Sequence, residues 1–235
     1  MIVYIDTEHD RLREVDPTAW ERSMARRLEV KYKLEALSGL PCLIVRYPRA
    51  TPALLRQLAV RAVFVSGNTT NFKHYADEDL AGLRAIFREA HWPTLGLCGG
   101  YQMLGQAYGA EVAPMGPLQP GDPVPAPGLA YSPGMRQERG FMRVHVFEAH
   151  PLLEGLGPHM VVFQAHNWEV KAPPEGFRAL ASSELCRVQV MAHDTAPLFG
   201  TQFHPEHYDE AHPDGRRLLE NFLRIAGILS PQLTG

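Results

Sequence analysis

Cys98 stands at the end of an apolar run, Thr94 to Leu97, and is followed at once by Gly99 and Gly100 and then by a helix-like stretch. That is the sequence form of a nucleophile elbow, in which a strand, a sharp turn carrying the nucleophile and a helix follow one another. The glycines let backbone approach the reacting atoms with no Cβ in the way. The helix N-terminus favours thiolate over thiol. A second chemical cluster lies far along the chain, where Leu198-Phe-Gly-Thr-Gln-Phe203 runs into His204-Pro205-Glu206. A cysteine nucleophile needs an imidazole to take and return a proton near neutral pH. It also needs a carboxylate to hold the other ring nitrogen. Alone, the first motif also reads as a buried strand cysteine, and the second as a surface turn. Together they predict a nucleophile, Cys98, served by His204 and Glu206.

Those residues need a scaffold that ends strands side by side. Ile2–Ile5, Leu43–Arg46, Ala62–Val65 and Thr94–Leu97 read as short buried strands. Helices are expected at Pro17–Leu37, Pro52–Leu58, Asp77–Ala90 and Gly100–Tyr108, from apolar residues at helical spacing and from Pro and Gly at their ends. The alternation predicts an α/β fold, a doubly wound, mainly parallel sheet with helices on both faces. Residues 114–134 are dense in proline and glycine and are expected to form a long loop over the active-site edge. Strands follow at Arg143–Phe147, Met160–Gln164, Phe177–Ala181, Val188–Ala192 and Leu198–Phe203. A closing helix spans Pro213–Ile228. One domain over residues 1–235 is expected.

Composition sets the background. The chain has 235 residues, 45% hydrophobic and 21% charged, with a net charge of −3. No basic block argues for nucleic acid or an anionic membrane surface. No apolar run reaches the roughly 18 residues of a membrane span. The first six residues lack the form of a signal peptide. A cytoplasmic protein with no nucleic-acid or membrane partner is expected. Cys42, Cys98 and Cys186 are far apart, with no C-x-x-C, so neither a disulfide framework nor a cysteine zinc site is expected. Cys42 and Cys186 lie in strand patterns and read as packing residues.

Gly96-Leu97-Cys98-Gly99-Gly100-Tyr101-Gln102 and Gly200-Thr201-Gln202-Phe203-His204-Pro205-Glu206 resemble the two signature motifs of class I (triad-type) glutamine amidotransferases. Val162 to His166, Pro174 to Ser182 and Cys186 to Gln189 look most like stand-alone relatives of the amidotransferase domain of GMP synthase. The resemblance covers roughly residues 40–226 and implies the flavodoxin-like amidotransferase fold. It implies that Cys98 attacks the side-chain amide of glutamine, that His204 protonates the leaving ammonia and then activates water, and that Glu206 orients His204. It also implies an oxyanion hole from Gly99 and the Ser66-Gly67-Asn68 turn, and substrate contacts at Gln102 and Tyr101. The sequence departs from the family at Asn68 and Thr69, which stand for a glycine and a proline, and at Tyr101, where many relatives have histidine. No cofactor or metal is implied.

Other polar clusters carry less. His204, His207 and His212 lack His-Glu-x-x-His spacing, and Pro205 and Pro213 break any helix that would carry it. Glu8, His9 and Asp10 follow the first strand and either form a solvated loop or serve an acceptor or partner. His166 either shapes the pocket or is a hydrogen-bonded structural residue. Trp20, Trp92 and Trp168 read as core or pocket-wall residues. Three functions stay open: an amidotransferase subunit supplying ammonia to a separate synthetase, a free-standing hydrolase of γ-glutamyl amides, and a non-catalytic module on the same scaffold.

Overall fold

Ile2–Asp6 forms strand β1, and all five of its residues are buried. Successive strand side chains face opposite sides. Ile2 and Tyr4 therefore join one core with Phe64, Leu95 and Phe222, while Val3 and Ile5 join another with Val63, Phe87 and Leu104. A strand buried on both faces is what a sheet covered by helices on both sides requires. The structure, a computed structural model, describes residues 1–122 and 134–230.

Helices α1 (Arg11–Val15) and α2 (Pro17–Ser38) follow, then β2 (Cys42–Arg46), α3 (Pro52–Gln57), β3 (Ala62–Val65), α4 (Asp77–Glu89), β4 (Thr94–Leu97) and α5 (Gly99–Ala107). Strand β5 (Val112–Pro114) precedes β6 (Glu138–Val146), β7 (His159–His166), β8 (Trp168–Val170), β9 (Phe177–Ser182), β10 (Val190–His193) and β11 (Leu198–Thr201), and α6 (Asp214–Ile225) closes the described chain. The main sheet has the order β2-β1-β3-β4-β11-β10-β9-β6-β7. The first five of these strands are parallel. From β11 onward neighbours are antiparallel. Helices α2 and α6 cover one face, and α3, α4 and α5 the other.

The α/β expectation holds, and the helix ends follow their sequence signals. Asp16 caps α2 by accepting from the Ala19 N–H, Pro17 occupies its first position, and Gly39 ends it with φ 66°. Thr51 caps α3 in the same way.

Several boundaries move. Strand β6 begins at Glu138, five residues before the expected Arg143, because its early residues pair along β7 from Glu138↔His166 onward. Helix α1 and the small antiparallel β5–β8 pair were not expected from the sequence pattern. The 114–134 segment is not irregular at its described ends. Pro114 pairs with Trp168, and Leu118 N–H donates to the Gly134 carbonyl at 2.9 Å. Residues 123–133 of that expected loop lie outside the described residues.

The order β2-β1-β3 makes a topological switch point beside β1 and β3, where open α/β sheets place their ligands. The carboxyl ends of β1, β3, β4 and β11 lead directly into Glu8, Ser66-Gly67-Asn68, Cys98 and His204. Close packing at this edge depends on Gly100, where an added Cβ would run into the Val65 carbonyl oxygen. Gly100→Ala is expected to destabilise the chain by about 1–3 kcal/mol, the cost of overpacking. The measurement is the denaturant midpoint at unchanged m-value.

Candidate active site

Cys98 has φ 49° and ψ −105°, and it is one of three non-glycine residues with positive φ among those described. Its N–H donates to the Thr201 carbonyl at 2.8 Å, which ties the elbow to the end of β11. The next residues of that strand deliver the other groups. His204 N–H donates to the Phe163 carbonyl at 2.8 Å, fixing the backbone against β7. His204 Nδ1 lies 2.8 Å from Glu206 Oε1. Gly67 fits between the two halves, since a Cβ there would lie 2.8 Å from His204 Cε1 and 3.3 Å from Cys98 Cβ. The structure therefore brings Cys98, His204 and Glu206 together as expected.

The electrostatics of the pair are mutual. Burial pulls the His204 pKa down, but the Glu206 carboxylate and the Cys98 side chain outweigh it and push it up to about 10. Burial raises the Glu206 pKa, but His204 outweighs it and holds the carboxyl at about 2. Burial drives the neighbouring His207, stacked on His204 at 5.1 Å, down to about 4. Two sets of possible metal ligands converge among the described residues, Glu138–His166–Cys186 and His204–Glu206–His207. In each a histidine and the carboxylate are already hydrogen-bonded to one another. His212 pairs instead with Asp209 at 2.8 Å.

Burial pushes the Cys42 thiol up to about 12 and the Cys186 thiol well above its ordinary value. Both are buried; Cys42 opens β2 as expected, whereas Cys186 lies in the turn between β9 and β10 and not in a strand.

A cavity of about 110 Å³ opens at Cys98, lined by Asn68, Thr70, Gly99, Gln102, His166 and Trp168 among others. A second, of about 350 Å³, reaches His204, Glu206 and Gly67 from the α2 side. Gln102 lines the cavity, donating through Nε2 to the Trp168 carbonyl at 2.9 Å and to Gln202 Oε1 at 3.0 Å. Tyr101 does not contact the cavity. It is fully buried, and its hydroxyl donates to the Val188 carbonyl at 2.8 Å, because its helical phase turns it under the sheet rather than toward Cys98. The expectation of a substrate contact at Tyr101 is corrected on that ground.

Gly99 and Asn68 are adjacent, and a Cβ on Gly99 would lie 3.0 Å from Asn68 N. The Asn68 side chain donates through Nδ2 to the Thr70 carbonyl at 2.6 Å and leaves Oδ1 buried against Gly99 with no hydrogen-bond partner. Gly67 contributes space and a fixed carbonyl.

His166 combines both open readings. It lines the cavity, and its nitrogens meet the Trp168 carbonyl at 3.0 Å and Glu138 Oε2 at 2.9 Å. Trp168 forms cavity wall, edge-on to Phe72 at 6.5 Å, and Trp92 is core. Trp20 is half-buried, with the Arg46 guanidinium over its ring at 5.1 Å.

Three contributors were not singled out in the sequence. Gln202 Nε2 lies 3.7 Å from Cys98 Sγ and donates toward it. Its signal was present, inside the second motif. Glu138 supports His166 from a strand end that the apolar pattern missed. Arg27 reaches the turn after β3 from the middle of α2, with nothing local to mark it. Glu8 is not solvated. It is fully buried and accepts from the backbone and hydroxyls of Thr69 and Thr70 at 2.8–3.2 Å.

The linkage signs follow from these pKa values. The His204 contribution to stability is complete below the unfolded value near 6.5 and is lost as pH rises through about 10. The Glu206 contribution is present above about 4.5 and is lost as pH falls through about 2. Glu206→Gln removes the carboxylate that holds the imidazolium. The alkaline limb of any His204-dependent rate is expected to move down from near pH 10 toward neutrality. The check is a pH–rate profile of both proteins.

Comparison with known proteins gives a consistent picture. A sequence model of the family described as glutamine amidotransferase class-I matches residues 30–226. The glutamine-hydrolysing GMP synthase subunit of Methanosarcina barkeri is 36% identical over 149 residues, covering 63% of this chain and 67% of that protein. The protein of the same name from Methanocaldococcus jannaschii is 34% identical over 143 residues, 60% of this chain and 64% of the relative's length. That from Archaeoglobus fulgidus is 30% identical over 183 residues, 73% of this chain and 88% of the relative. A solved structure from Thermoplasma acidophilum, described as a GMP synthase subunit protein, superposes with a TM-score of 0.69 at 24% identity. It covers 97% of this chain and 94% of that one, a likeness of fold.

Proposed function

Because the chain belongs to the class I glutamine amidotransferase family, we propose that it hydrolyses the side-chain amide of glutamine through Cys98, His204 and Glu206 and supplies ammonia to a separate synthetase subunit. The observation that carries this reading is the Cys98 elbow opening on its own cavity while His204, bonded to Glu206, stands behind it.

In the first half-reaction Cys98 Sγ attacks the amide carbon of glutamine. The carbonyl π bond opens, and the negative oxygen is received by the Asn68 and Gly99 N–H groups. Imidazolium His204 gives its proton to the amide nitrogen, the C–N bond breaks, and ammonia leaves from a γ-glutamyl thioester. In the second half-reaction water attacks the thioester carbon, and His204 accepts its proton. The C–S bond breaks and glutamate departs. Glu206 keeps Nδ1 protonated throughout, so Nε2 is the atom that exchanges the proton.

The substrate reading rests on the family and on the relatives' names, which are those of glutamine-hydrolysing proteins. The partner reading rests on the relatives' names, which are those of one subunit of a glutamine-hydrolysing synthase. No described helix is long and apolar enough to cross a membrane.

The purified chain is expected to release ammonia from glutamine, and Cys98→Ala to release none above background in a coupled glutamate dehydrogenase assay. Glutamine is expected to be preferred over γ-glutamyl anilides. Addition of the synthetase subunit of a GMP synthase is expected to convert glutamine hydrolysis into glutamine-dependent amination. Faster turnover of the anilide than of glutamine would instead favour the free-standing hydrolase.

A further inference from the structure

Arg27 precedes the segment matched by the family model, yet its guanidinium reaches the turn beside Cys98. Nη2 donates to the Gly67 carbonyl at 2.9 Å, and Nε donates to Asp6 Oδ1 at 2.8 Å. The same carbonyl accepts from Ser66 Oγ at 2.9 Å, while Thr7 Oγ1, 3.2 Å from it, has the Ser66 carbonyl nearer at 2.9 Å. Arg27 and Ser66 together fix one oxygen. A trans peptide is planar, so a fixed carbonyl fixes the N–H of the next residue in the opposite sense. Here that residue is Asn68, whose N lies beside Gly99 and which lines the cavity at Cys98. Among the described residues, the Asn68 and Gly99 N–H groups donate to no backbone acceptor.

The clamp is hard to move. The side chains of Arg27 and Asp6 are 12% and 1% exposed, and breaking their ion pair would leave the buried carboxylate with only the longer Arg46 contact at 3.5 Å and the Glu8 N–H at 3.1 Å. Beyond Asn68, Glu8 grips Thr69 and Thr70 through four hydrogen bonds. The turn is therefore held on both sides of the residue whose N–H is needed.

We propose that Arg27 is a positioning residue for the oxyanion hole, holding the Gly67–Asn68 peptide with its N–H turned to the carbonyl oxygen of the bound amide, so that the hole is assembled in the free chain and amide hydrolysis needs no partner to form it. This deepens the amidohydrolase reading and rests on it. Arg27 touches no reacting atom; it acts through the peptide it holds.

The test compares two reactions of Cys98 in the full chain without a partner. Glutamine hydrolysis builds an oxyanion, whereas alkylation by iodoacetamide builds none. Wild type is expected to turn over alone. Arg27→Met is expected to lower kcat by about 10²-fold, the scale of one lost oxyanion donor, with KM and the alkylation rate nearly unchanged. Arg27→Lys, which keeps the charge beside Asp6, is expected to recover part of the loss.

Should Arg27→Met fold poorly, as read by its melting curve, Ser66→Ala removes one donor to the same carbonyl. It is expected to cost about threefold to tenfold in kcat, the worth of one neutral hydrogen bond. Three outcomes would overturn the proposal: an unchanged kcat in a folded Arg27→Met, a parallel fall in kcat and alkylation, or a wild type that hydrolyses glutamine only with a synthetase present. If wild type releases no ammonia under any condition and a glutamine-analogue electrophile fails to label Cys98, the amidohydrolase reading itself fails, and this inference with it.

Discussion

The left-handed backbone at Cys98 is the constraint around which the site is built. A non-glycine residue at φ 49° carries strain of about 1–3 kcal/mol and persists only where its surroundings fix it. Here they do so from both sides. The Cys98 N–H is held by the last residue of β11, and its carbonyl accepts the first helical hydrogen bond, from the Gln102 N–H at 3.0 Å. Gly96 and Gly100 let β4, the turn and β3 approach so closely that a Cβ at either would meet backbone. The strain therefore points the sulfur out of the sheet edge and, through Thr201, brings His204 to it.

Charge is arranged around that point in two buried pairs. His204 and Glu206 stabilise one another's ionised forms, which keeps a proton on the imidazole. Arg27 and Asp6 form the other pair, on the far side of Gly67. One pair holds the His204 ring, and the other holds the Gly67 carbonyl. Glutamine side chains connect the remaining space. Gln102 bonds Gln202, and Gln202 donates toward the sulfur, so the cavity wall and Cys98 share one hydrogen-bond chain. Low local dielectric strengthens such a chain because each bond polarises the next.

Sequence reading reached the parts of this site that local chain geometry encodes. Cys98, His204 and Glu206 sit where strands end, and the glycines and the proline beside them mark those ends. The parallel half of the sheet was legible for the same reason, since short apolar strands alternate there with helices. Tyr101 was misjudged because motif position does not give helical phase, and its ring turns into the core. The start of β6 was missed because Arg139 and Gly140 break the apolar pattern on a partly exposed strand. Glu8 and Arg27 escaped for a deeper reason. Their partners in the β3 turn lie 40 to 62 residues away in sequence, and only packing of β1 and α2 against that turn makes a buried carboxylate and a mid-helix arginine meet it.

Covalent labelling of the three cysteines by a glutamine-like electrophile, 6-diazo-5-oxo-L-norleucine, read by peptide mass spectrometry, tests the central claim most directly. The account predicts one adduct per chain, on Cys98, formed faster than the same reagent modifies Cys42 or Cys186 and suppressed by glutamine. Labelling that spares Cys98, or that glutamine does not suppress, would contradict it.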